Sequence, residues 1–268
     1  MRFNAGLMFL MILGTVLSGC KKEDDTEESN STIRIVFNHQ VNDADLQYGE
    51  MNYVNAAGNP YEVTEIMYFI SEVRLYKGGV EYNPNDSNDI HYVDSKLLNT
   101  MDWTLGKKIP AGTYDSIKFI FGISAERNKS FLFVNPPEVS MAWPEVLGGG
   151  YHLLMMNGFW EDLSDNRRPF NFHLGTGQIY QNNSGDVADI IGFIHNAFTV
   201  LPEGSAFNVS DGNVTTINLV MDINSWFETP VIWDFDYWGG AIMMNQDAMH
   251  DACLNGRNAF RYSASEPY

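Results

Sequence analysis

The side chains able to do chemistry in this chain are few, and they are dispersed. It holds six histidines and two cysteines beside 34 acidic residues. Imidazole is the commonest side-chain ligand of transition metals and titrates near neutral pH. The placement of His39, His91, His152, His173, His195 and His250 therefore matters most. No two stand at i, i+2 or i, i+4, so any shared site must be assembled by the fold from separate strands. Taken singly, each is more readily satisfied by a structural hydrogen bond than by a metal. The chain lacks a G-x-S-x-G elbow, a G-x-x-x-x-G-K-[ST] phosphate loop and an H-E-x-x-H pair. No spacing singles out a carboxylate pair for glycoside hydrolysis. A binding protein rather than an enzyme is expected. Thirteen methionines add thioethers, paired at Met155-Met156 and Met243-Met244, although core filling is their usual role.

The elements that must carry these groups read as strands. Ile33, Ile35, Phe37 and His39 alternate on one face, so His39 points inward. Ile117, Phe119, Phe121 and Ile123 repeat the pattern, as do Ile217, Leu219 and Met221. His91 shares a face with Val93, whereas His173 lies opposite the face of Phe170, Phe172 and Leu174. Residues 63–76 fit either period, and a strand preceded by a turn is favoured. Gly58-Asn59-Pro60, Asn83-Pro84-Asn85, Pro110-Ala111-Gly112, Asn135-Pro136-Pro137 and Asp211-Gly212-Asn213 punctuate the runs. The expectation is an all-β fold: an antiparallel β-sandwich or barrel-like single domain over 32–268. One or two short helices near the C-terminus, around 224–227 and 247–260, complete it.

The start of the chain bears on its compartment. Arg2 and an apolar run from Ala5 to Val16 read as a secretory leader, closed by Leu17-Ser18-Gly19-Cys20. The ending resembles a bacterial lipobox. This implies a lipoprotein signal peptide over 1–19, a lipid on Cys20, and a polar, acid-rich tether over 20–31. The protein is then expected at the outer membrane or cell surface, facing periplasm or exterior. With Cys20 lipidated, Cys253 has no disulfide partner and is expected in the core. The formal charge of −18 disfavours nucleic acid as a partner. A content of 44% hydrophobic and 13% aromatic residues excludes a disordered chain.

An ordered set of short motifs narrows the reading. Phe37-Asn38-His39 is followed by Tyr53-Val54-Asn55-Ala56-Ala57-Gly58 and by Tyr68-Phe69-Ile70-Ser71-Glu72-Val73-Arg74-Leu75. Then come His91-Tyr92-Val93-Asp94, Ile109-Pro110-Ala111-Gly112-Thr113-Tyr114, Phe121-Gly122-Ile123, Met141-Ala142-Trp143, Gly150-Tyr151 and Phe172-His173-Leu174-Gly175. Together they resemble the copper-binding MbnP-like family of bacterial exported proteins, over roughly residues 33–260. The resemblance implies one copper ion, Cu(I) or Cu(II), held through histidines, with His39, His91 and His173 as the matching positions. It also implies a nearby tryptophan, Trp143 or Trp103, oxidised to kynurenine by a partner di-haem peroxidase. The chain departs from the pattern in two places. Pro144-Glu145 follows Trp143 before a triple glycine, and Met243-Met244 stand where a histidine is expected. Since ligand imidazoles must be neutral, binding is expected to weaken below about pH 6.

A different class of function competes. A lipid-tethered sandwich with Trp160, Trp226, Trp233, Tyr237 and Trp238 could stack glycans or other nutrients at the cell surface. Exposure of those rings on one face would favour that reading; convergence of histidines beside a tryptophan would favour copper.

Overall fold

A computed structural model describes Met1 and residues 30–86 and 89–263. The leader, Cys20 and nearly all of the tether lie outside the described residues, as do the last five positions.

Two sheets face each other. The first is centred on β1 (Thr32–Val41), which runs parallel to a strand from the far end of the chain, Val214–Asp222. The register sets Ile35 beside Ile217, Phe37 beside Leu219 and His39 beside Met221, so the alternating apolar faces of both strands coincide. Phe260–Ser263 adds an antiparallel strand outside Val214–Asp222, and Asp102–Thr104 pairs with β1 on its other side.

The second sheet is built on β2 (Pro60–Lys77), an 18-residue strand that absorbs the whole ambiguous segment. Its length lets it pair with several neighbours: β3 (Ile90–Asp94), β4 (Ser116–Phe121) and β5 (Leu154–Glu161). β6 (Arg167–Leu174) forms a hairpin with β5 and closes that edge. All these contacts are antiparallel, which leaves the β1 pairing with Val214–Asp222 as the parallel one among the long strands.

The main core lies between the sheets, with Ile33, Ile35, Tyr61, Val63, Tyr68, Ile117, Phe119 and Leu219 all fully buried. A second, smaller cluster sits on the outer face of the β2 sheet. There Phe69, Tyr92, Ile123, Met141 and Tyr151 are buried, and Met67, Phe133 and Met155 pack against them. Residues 124–152 form no long strand and supply much of this cover. Burial of apolar area, at roughly 25 cal/mol per Å², is what fastens the segment down.

Three short helices follow the last long strand: α1 (Ser225–Glu228), α2 (Phe235–Trp238) and α3 (Gln246–Gly256). The first and third fall where apolar spacing placed them, and the second occupies the aromatic run around Trp233. Asn245 caps α3 by accepting from the Ala248 N–H, and Ala248, Met249, Ala252 and Cys253 turn inward. Among the described residues no helix is long and apolar enough to cross a membrane.

Candidate metal centre

The three histidines singled out by resemblance lie in different settings. His39 is buried between the sheets, where Nδ1 meets the Tyr48 hydroxyl at 2.7 Å and Nε2 meets that of Tyr68 at 3.3 Å. Both ring nitrogens thus have protein partners. Burial pushes its pKa down to about 4, so the ring is neutral. His91 donates from Nε2 to the Thr100 carbonyl at 2.8 Å. Its ring is sandwiched between Phe37, at 5.5 Å, and Trp103, at 5.1 Å and nearly parallel. His173 lies on the opposite face of the β2 sheet, in cross-strand register with Met155, which in turn opposes Met67. Among the described residues no three His, Cys, Asp or Glu side chains are grouped as a metal-binding set.

His173 is instead joined by a histidine that spacing did not select. His152 leaves the outer covering segment just before β5, and its ring lies 5.1 Å from that of His173, at 88°. Two hydrogen bonds decide the tautomers. The Met141 carbonyl can only accept, so His152 carries its proton on Nδ1 and donates it over 2.9 Å. The backbone N–H of His152 donates to the same carbonyl at 2.7 Å. Asn157 turns its Nδ2 to Glu65, at 2.8 Å, so its Oδ1 is the acceptor facing His173 Nε2–H at 2.7 Å. Glu65 is anchored in turn by Lys96. The remaining atoms, His152 Nε2 and His173 Nδ1, are therefore lone pairs. Both are buried and neither has a partner.

A buried acceptor without a partner costs about 1–3 kcal/mol. Two of them stand on rings whose centroids are 5.1 Å apart and at 88° to each other. Protonation of either ring is unfavourable, because burial lowers both pKa values and His152 lowers that of His173 further. For His173 the result is about 4, with burial the main cause and His152 the next. For His152 burial lowers it and the backbone carbonyls partly oppose. His173 thus stays neutral down to nearer pH 4 than a free imidazole does.

Trp143 borders the pair. Its indole meets the His152 ring edge-on at 4.7 Å and donates Nε1–H to the Leu147 carbonyl at 3.1 Å. It fits because residue 175 is glycine: a Cβ there would fall 2.3 Å from Trp143 Cε3. Phe172-His173-Leu174-Gly175 is thus a unit in which Phe172 and Leu174 fill the core, His173 faces outward and Gly175 makes room for the indole. Trp103, the other candidate tryptophan, stacks on His91.

Cys253 is a free, buried cysteine whose Sγ–H donates to the Asn196 carbonyl at 3.4 Å, and burial raises its pKa to about 12. Of the rings considered for stacking sugars, Trp160, Trp226 and Trp233 are buried in the core and Tyr237 is exposed.

Sequence reasoning passed over His152 because none of the motifs that carry the resemblance includes it. The β5–β6 register does not find it either, since the residue opposite His173 is Met155; His152 is held there by its two hydrogen bonds to the Met141 carbonyl.

The family model that matches this chain is MbnP, over residues 30–244. A solved structure, MbnP from Methylosinus trichosporium, is 15% identical with a TM-score of 0.49, over 75% of this chain and 79% of that one. No curated protein matches. The matched span runs from just ahead of β1 to Met244 and takes in His152 and the β5–β6 hairpin that carries His173. The chain belongs to the MbnP family.

Proposed function

We propose that this protein binds a single copper ion, as Cu(I), between His152 Nε2 and His173 Nδ1, and serves copper acquisition or handling. The observation that carries the reading is the pair of buried, unpartnered lone pairs on rings 5.1 Å apart. Neutral imidazoles are good donors to Cu(I), which accepts as few as two or three ligands. Asn157 and Glu65 behind His173, and the Met141 carbonyl behind His152, supply the outer hydrogen bonds that orient metal-binding imidazoles. His39 and His91, engaged with Tyr48, Tyr68 and Thr100, are given structural roles. Trp143, whose ring meets that of His152 at 4.7 Å, is the indole we assign to oxidation by a di-haem peroxidase partner. The leader and Cys20 support an exported lipoprotein at the outer membrane or cell surface. Its task is to hold an ion rather than to turn over a substrate.

Equilibrium competition with a chromophoric Cu(I) chelator tests the assignment. One Cu(I) per chain is expected, abolished in His152→Phe and in His173→Phe and retained in His39→Gln. Wild-type affinity in the double variant His152→Phe/His173→Phe would refute the site.

A further inference from the structure

A half-open pocket beside His173 brings that histidine together with two methionines, of which Met243 also packs on the main core. It is a cavity of about 360 Å³ whose walls are Asn171, His173, Ala241, Met243 and Met244. Three of these five carry soft or borderline metal donors. The core-filling methionines of this protein, Met141, Met156, Met221 and Met249, are fully buried. Met244 is 41% exposed, so it fills no gap. It also lines a second cavity, of about 370 Å³, which reaches Asp247 and the Gln178–Tyr180 edge. Met244 is common to the walls of both spaces, and His173 lines the inner one.

The backbone holds this wall in place. The Asn171 N–H donates to the Gly240 carbonyl at 2.6 Å, and Asn171 forms a parallel bridge with Ala241. The loop bearing the two methionines is thereby docked on β6, the strand of His173. The unpartnered Nδ1 of His173 has almost no accessible surface. An ion must shed its water before reaching it. A thioether is neutral and soft, and holds Cu(I) weakly while rejecting hard divalent ions.

We propose that the cavity walled by His173, Met243 and Met244 is the entry port for Cu(I), with the two thioethers as its first stations ahead of the imidazole pair. The proposal rests on the imidazole pair being the copper site. Entry exchanges water for sulfur and then sulfur for nitrogen, with no change of oxidation state. Because the thioethers bind more weakly than two imidazoles, the ion moves inward.

The test is the rate at which the full chain strips Cu(I) from a chromophoric chelator, followed by stopped-flow absorbance, beside equilibrium affinity for the same ion. Met243→Leu/Met244→Leu keeps side-chain volume, and Ala241→Trp blocks the cavity with both thioethers in place. In each, the uptake rate is expected to fall at least tenfold more than the equilibrium affinity does. Wild-type uptake rates in both variants would overturn the port. So would rate and affinity falling in equal proportion on loss of the thioethers, which would make them ligands of the final site. Failure of the wild-type chain to take up Cu(I) at all would remove the imidazole site, and the port with it.

Discussion

Acid should unfold this protein partly through a single buried ring, and the size of the effect follows from its surroundings. His39 is held neutral between the sheets, its pKa lowered by burial from 6.5 to about 4. The unfolded chain therefore takes up this proton first. The stabilisation is complete above the unfolded value and is lost as pH falls from 6.5 toward 4. A shift of this size corresponds to roughly 3 kcal/mol, and about 2.5 kcal/mol of it is gone by about pH 4.5. Burial lowers His91, His152 and His173 as well, so wild-type acid sensitivity sums several rings. His39→Gln isolates one of them: the amide can serve both the Tyr48 and Tyr68 hydroxyls but cannot titrate. Urea unfolding followed by tryptophan fluorescence should show the gap between wild type and His39→Gln shifting in favour of the variant by about 2 kcal/mol between about pH 7 and pH 4.5. If the two lose stability in parallel over that range, His39 is not a neutral buried ring and the reasoning fails.

Two further outcomes bear on the candidate site. Gly175→Ala drives a Cβ to 2.3 Å from the Trp143 indole, so it should cost about 1–3 kcal/mol in urea unfolding and alter the native fluorescence. Stability within about 0.5 kcal/mol of wild type would mean that the indole is not wedged there. Asn157→Leu removes the acceptor that fixes the His173 tautomer and should weaken Cu(I) binding about 10–100-fold in chelator competition. Unchanged affinity would show that the hydrogen bond does not tune the ligand.

The strand faces were legible because period-2 alternation reports burial directly. Ile33, Ile35, Phe37 and His39 read as one inward face, and they are. The length of β2 was less legible, since its two faces meet two different cores: Tyr68 turns to the space between the sheets and Phe69 to the outer cluster. A strand buried on both sides loses the alternation that marks it. His173 could be assigned to a face from local pattern alone. His152 could not, because its place depends on two hydrogen bonds to the Met141 carbonyl, which leave no trace in residue spacing. Trp143 and Gly175 likewise become one feature when the chain folds and brings the two together.

The parallel partnership of β1 with Val214–Asp222 has a consequence for how the molecule comes into being. The first of the described strands can find its long neighbour only after nearly all of the remaining domain has followed. Until then its edge is open, closing such a distant pair carries a large loop entropy, and assembly should be slow. A chain cut anywhere before Val214 would leave β1 a strand without its main partner, so the domain tolerates no early stop. It is also a chain that stays threadable for as long as its last fifth is missing.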